Sequence, residues 1–232
     1  MFIPAFDPLY LLFMIPPFLL GLVATLLLNL WTKQYLTVDT KIGLTGLEII
    51  SKISNKENYN LKVNLIPEVL GESWDPINHT LNISQVNAHG RSITGSAIIA
   101  HELGHVDQQA KGSLLFKIRT AIVPMVNFGS NLGYFLLIIG LVLQLSELAW
   151  VGLAFFALTT VFTLITLPIE LDASNRALNL LTRNQIVFTN ELGGVKKVLT
   201  AAALTYVAAL FQSLGQLMYF IFRIQGLSRR SD

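Results

Sequence analysis

Long uncharged apolar runs bracket one polar stretch in this chain. Residues 8–30, 121–145 and 148–167 lack charge over the length of about 20 residues that an α-helix needs to cross a bilayer. Pro16 and Pro17 fall inside the first run, which predicts a kink or a late helix start there. Only Ser146 and Glu147 separate the second run from the third, so these two predict a tight antiparallel hairpin. A fourth run, 198–222, is also uncharged but carries Gln212, Ser213 and Gln216; it either spans or lies buried against the other helices.

The polar stretch, residues 31–119, has its own periodicities. Residues 45–56 read as a helix with Leu47, Ile50 and Ile53 on one face. Residues 61–68 alternate Leu61, Val63 and Leu65 with Lys62, Asn64 and Ile66, and 80–84 alternate again around Leu81 and Ile83. The turn signal Asp75-Pro76-Ile77-Asn78 lies between them, so the pattern predicts a small antiparallel sheet. Ser92 is the expected N-cap of a helix over 93–110 that stops at Gly112. Beyond the third run, Pro168 suits the first turn of a new helix starting at the membrane surface.

Composition sharpens this into a fold class. Of 232 residues, 53% are hydrophobic and 13% charged, against about 25% charged in soluble domains. The expectation is a mainly α membrane protein in the lipid bilayer, with three to four transmembrane helices and a small α+β domain. The absence of cysteine excludes disulfides, thiolate metal sites and cysteine nucleophiles. A net charge of +2 gives no footprint for nucleic acid.

Orientation follows from the basic residues. The first run has Asp7 and no Lys or Arg before it, and no small-residue cleavage site after it, so it is expected to stay as an anchor with its amino terminus outside. Lys33, Lys41, Lys111, Lys117, Arg119, Arg176, Arg183, Lys196 and Lys197 then share one compartment, the cytoplasm by the positive-inside rule. If the fourth run spans, Arg223, Arg229 and Arg230 fall outside, against that rule. The sequons at Asn78 and Asn82 are read as coincidence in a cytoplasmic segment.

The candidate chemistry sits on the 93–110 helix as His101-Glu102-Leu103-Gly104-His105. Histidines four apart share a helical face and can converge on one metal ion. Glu102 lies beside that ion without binding it, where a carboxylate can move a proton from water to a leaving amine. Gly104 is expected to permit close backbone approach, where a side chain would sit close to whatever lies over the ion; Asp107 and Gln108 either orient a ligand or, the more common case, are solvated positions near a helix end. A catalytic zinc needs a third protein ligand. His79, His89, Glu170, Asp172 and Glu191 are available; Glu147 falls in the outside turn. Glu170 follows Pro168 at the cytoplasmic end of the third run, Asp172 lies on the opposite face, and Ser174 shares the face of Glu170, within reach of a ligand. Asn127 and Asn131, with Gly129 and Gly133, could line a path toward the active site; the favoured reading is helix packing through a Gly-x-x-x-Gly face with an interhelical amide bond.

His89-Gly90-Arg91-Ser92, Ala100-His101-Glu102-Leu103-Gly104-His105, the 167–178 segment around Glu170 and the Ala-rich 201–209 segment together resemble the neutral zinc metallopeptidases of the YugP type. The architecture is also similar to HtpX-type and CAAX-prenyl-type membrane metalloproteases, in which two transmembrane helices separate the histidine helix from a Glu-x-x-x-Asp segment. That resemblance implies a zincin-like (gluzincin) domain, Zn2+ as cofactor, His101, His105 and Glu170 as its ligands, and Glu102 as the catalytic residue. The aspartate of the HtpX-type pattern falls on Ser174, a departure that leaves Ser174, Asp172 and Asn175 as candidates to support the ligands. By the same resemblance, 80–84 would be the edge strand that pairs with substrate, and His89, Arg91 and Arg176 are candidates to stabilise an oxyanion.

The expected organisation is an anchor (1–30), a cytoplasmic zincin-like segment (31–119), a helical hairpin (120–168), a helix carrying the third ligand (169–197) and a hydrophobic helix with a basic tail (198–232). The expected function is a membrane-integral zinc endopeptidase of a bacterial cell membrane, its active site facing the cytoplasm and its substrates membrane or juxtamembrane protein segments. The competing expectation is a zinc-binding membrane scaffold or adaptor without turnover.

Overall fold

The computed structural model describes residues 7–68 and 70–231. Residues 1–6 of the expected anchor and the side chains of Arg229 and Arg230 lie outside that description. In chain order the elements are α1 (Pro8–Leu36), α2 (Gly46–Glu57), β1 (Lys62–Ile66), β2 (Ser73–Asp75), β3 (Thr80–Ser84), α3 (Gln85–His89), α4 (Ile93–Ala110), α5 (Leu114–Val142), α6 (Ser146–Arg183) and α7 (Leu192–Ser231). They divide into two units: Met1–Val23, Ile118–Leu167 and Thr205–Asp232 in one, Ala24–Lys117 and Pro168–Leu204 in the other.

Helices α1, α5, α6 and α7 are long and apolar enough to cross a membrane. In the first unit their outer faces are apolar: Leu12 is 67% exposed and Phe128 75%. Water penalises such a surface and hydrocarbon does not. The fourth run therefore has the length and composition of a span, within one helix that continues to its end. Arg223 Nη1 lies 3.4 Å from Asp7 Oδ2, and the Tyr219 hydroxyl donates to the same oxygen at 3.2 Å. Residues 7 and 223 thus share one end of this unit, and the charge that offends the positive-inside pattern has a carboxylate beside it.

Small residues hold the hairpin. A Cβ on Gly133 would fall 2.5 Å from Phe156 N, and one on Gly152 only 2.2 Å from Leu137 N. Backbones this close need glycine. The expected interhelical amide bond is not formed: Asn127 and Asn131 are exposed, and Asn131 Nδ2 donates to the Asn127 carbonyl one turn back. The turn itself lies just before Ser146, with Gln144 at φ 58°, so Ser146 and Glu147 open α6 instead of forming the bend.

The second unit has one core. Thr45 and Glu48 form a reciprocal cap at the start of α2, which buries Ile49, Ile50 and Ile53. β3 buries Leu81 and Ile83 and lies between the other strands, in the order β1-β3-β2. Two expectations are corrected here. β1 runs parallel to β3, with Val63 opposite Leu81, and only β2 pairs antiparallel. The Asp75 carboxylate accepts from Ile77 N and Asn78 N, so the turn closes a hairpin between β2 and β3 and leaves β1 to join from the other side. Residues 80–84 are consequently the central strand and not an edge.

Ser92 Oγ accepts from Gly95 N and starts α4, which ends at Ala110 with Lys111 as its cap before Gly112 turns the chain at φ 69°. Pro168 does not start a new helix. It sits inside α6, and from there Ile169, Ala173, Ala177 and Leu180 are buried at helical spacing. A continuous buried face outweighs the one hydrogen bond proline removes.

Candidate metal centre

The four-residue spacing on α4 sets the His101 and His105 rings 4.9 Å apart and nearly perpendicular. Glu170, two residues into the second-unit part of α6, brings Oε2 to 3.1 Å from His101 Nε2 and 3.5 Å from His105 Nε2. All three candidate ligand atoms lie within 4.8 Å of one another, and among the described residues this is the cluster of histidines and carboxylates with metal-holding geometry. Donors about 2.0–2.1 Å from a tetrahedral zinc stand about 3.3 Å from each other. The observed separations fit that ion, as does a donor set of two imidazoles and one carboxylate.

The outward ring nitrogens also fit. His105 Nδ1 is 2.9 Å from Gln108 Oε1, and His101 Nδ1 is 3.3 Å from Ser174 Oγ. Both histidines therefore turn Nε2 toward Glu170 and bond outward through Nδ1, the usual support of metal-binding imidazoles. The Phe116 ring stacks on His105 at 5.8 Å. Burial alone would lower the His105 pKa, but hydrogen bonding to Glu170 and the Glu102 charge hold it above its ordinary value.

Glu102 is buried next to this cluster without belonging to it. Burial raises its carboxyl above the usual range, opposed by the two histidines and by the main-chain N–H of Trp74 on β2. A carboxylate with a raised pKa is suited to taking up and releasing a proton.

Gly104 permits the close backbone approach expected of it, and what approaches is the main chain of α6. A Cβ there would fall 2.5 Å from the Ala173 carbonyl oxygen, so the glycine admits the main chain of α6. Of the two readings of Asp107 and Gln108, the solvated one is overturned: Asp107 is 3% exposed and Gln108 1%. Gln108 Nε2 donates to the Ile169 carbonyl and to Asp172 Oδ2, both at 2.8 Å. Asp107 receives the Tyr59 hydroxyl, Arg176 and Lys111, and these hydrogen bonds overcome its burial and hold its carboxyl below the usual aspartate range. Arg176 also donates through Nε to Asp172 at 2.6 Å, so its guanidinium bridges two carboxylates instead of standing ready for an oxyanion.

The other sequence candidates lie elsewhere. His79 packs edge-on against Trp74, and Glu191 accepts from the main-chain N–H groups of Lys41 and Phe188. His89 and Arg91 are exposed, and Arg91 sits near Glu48 at the start of α2. Gln108 was legible in principle, three residues after His105 on one face; Tyr59, from a loop 46 positions earlier than His105, carried no local signal.

A family model described as "Putative neutral zinc metallopeptidase" matches residues 10–225. The chain is 34% identical over 208 residues to a Bacillus subtilis (strain 168) protein named "Putative membrane protease YugP", covering 86% of this chain and 92% of that one. No solved structure matches.

Proposed function

Because the chain belongs to the neutral zinc metallopeptidase family, we propose that it is a membrane-integral zinc endopeptidase in which His101, His105 and Glu170 hold the metal and Glu102 moves the proton. The observation that carries this reading is the convergence of two imidazoles and one carboxylate beside a fourth, buried carboxylate that stays out of the cluster. Zinc, when bound, supplies the Lewis acidity that makes water nucleophilic at neutral pH and polarises a peptide carbonyl.

The chain's own residues do the rest. Glu102 accepts the proton of the attacking water and delivers it to the departing amine, a task its raised pKa supports. Phe116 covers one side of His105 and limits water there. β2 is an outer strand of the sheet with its main chain beside Glu102, an arrangement that suits an extended peptide lying along it.

The zincin-like part comprises 31–119 together with the ligand helix 169–197; 1–30, 120–168 and 198–232 are the membrane parts. The four apolar helices support a multi-pass protein, and the basic residues of the polar segments support a site facing the cytoplasm. A site tied to such helices draws its substrates from membrane proteins and their juxtamembrane segments.

Glu102→Gln in the detergent-purified protein tests the reading against a scaffold role. Zinc content stays at about one per chain, while cleavage of a membrane-anchored substrate falls by at least about a hundredfold. Unchanged cleavage, or a wild-type protein without zinc, overturns it.

A further inference from the structure

We propose that Gln108 sets the tautomer of His105, and that Asp172 and the Ile169 carbonyl hold Gln108 in the orientation that does so. The inference rests on the reading that His105 is a metal ligand. It concerns a positioning residue, since Gln108 reaches the site only through His105.

Donors and acceptors around the amide fix its orientation. Gln108 Nε2 lies 2.8 Å from the Ile169 carbonyl oxygen and 2.8 Å from Asp172 Oδ2, two groups that only accept. Reversing the amide would set its oxygen against both, in a site where Gln108 is 1% exposed and water cannot compensate. Oε1 therefore faces His105 Nδ1 at 2.9 Å, and because that oxygen can only accept, Nδ1 must carry the hydrogen. A proton that Nε2 holds toward Glu170 is then the one a metal displaces, and the ring left neutral by that loss keeps its hydrogen on Nδ1 and its lone pair on Nε2.

Arg176 extends the constraint outward. Its Nε donates to Asp172 Oδ2 at 2.6 Å and its Nη1 to Asp107, so the carboxylate that fixes the amide is itself tied to both helices. His101 lacks an equivalent device. Its Nδ1 faces the Ser174 hydroxyl, which can donate or accept and so imposes neither tautomer. The amide thus pre-arranges one of the two histidines for metal, and the other adapts.

The test uses the full-length protein in detergent, stripped of metal and labelled with 15N-histidine, at pH 8. Ring nitrogen–proton correlations report the tautomer, and competition with a chelator reports zinc affinity. The wild type shows His105 with hydrogen on Nδ1. In Gln108→Leu the ring shifts toward the Nε2–H form that free imidazole favours, and zinc affinity falls about 10–100-fold. Asp172→Ala alters a side chain 44% exposed and folds without difficulty; it shows a partial tautomer shift and a loss nearer the lower end of that range. An Nδ1–H ring or wild-type zinc affinity in Gln108→Leu overturns the inference, and if that variant does not fold, the same results in Asp172→Ala do so. A wild type that binds no zinc instead overturns the metal-site reading, while the tautomer of the metal-free protein still tests Gln108.

Discussion

Gly104 on α4 faces the main chain of Ala173 on α6 so closely that a β-carbon at 104 would lie 2.5 Å from the Ala173 carbonyl oxygen. The obstacle is backbone and cannot swing aside as a side chain could. Gly104→Ala must therefore separate the helix that carries both histidines from the helix that carries Glu170. The expected result is a loss of about 1–3 kcal/mol in stability together with weakened zinc binding. A thermal melt and a chelator competition on the same preparation check both parts.

Glu170 and Glu191 are both buried carboxylates of the second unit, but their surroundings predict opposite outcomes. Glu170 faces two imidazoles, whereas Glu191 accepts from Lys41 N and Phe188 N. Glu170→Ala is expected to reduce zinc from about one per chain to a small fraction of that. Glu191→Ala should keep its zinc and lose about 1–3 kcal/mol of stability through two unpaired N–H groups. Metal analysis of the two purified variants distinguishes them.

Asp107 predicts an acid-sensitive fold. Burial pushes its pKa up, but the Tyr59, Lys111 and Arg176 hydrogen bonds win, so its folded value lies below the unfolded one of about 3.9. A carboxyl depressed on folding contributes stability above its unfolded pKa, and that contribution disappears as pH falls through the folded value. Asp107→Asn should be less stable than wild type at pH 7, by about 2 kcal/mol. The difference should shrink on acidification below about pH 4. Denaturation curves of both proteins across that range provide the check.

The hairpin of α5 and α6 depends on Gly152, whose added Cβ would fall 2.2 Å from Leu137 N. Gly152→Leu should therefore splay the pair and destabilise the protein by more than about 2 kcal/mol. Asn131→Leu, on an exposed face with only a local bond to Asn127, should leave the melting temperature nearly unchanged. Thermal melts in one detergent make the comparison direct.

Elements with a strong local signal appear where the chain's pattern places them. The Ser92 cap begins α4 at the expected position, α2 starts one residue after the expected 45, and the apolar runs form the four long helices. Local signals failed where two of them competed. Pro168 reads locally as a helix start, but the buried face of Ile169, Ala173 and Ala177 carries α6 through it. The alternation of 61–68 and 80–84 is correct, yet alternation is blind to strand direction, and the Asp75 turn serves β2 instead of β1.

The sequence by itself determined the apolar helices, the capped helix of the polar segment and the facing of His101 and His105. Each follows from a repeat of two to four residues or from an uncharged length. Only the tertiary structure decided that Glu170 meets those histidines, that Gly104 yields to Ala173, and that Gln108, Asp172, Arg176 and Asp107 join into one network. Those partners stand more than 60 positions apart across α4 and α6. Whether two such side chains meet depends on how closely and in what register the helices pack, which no local pattern encodes.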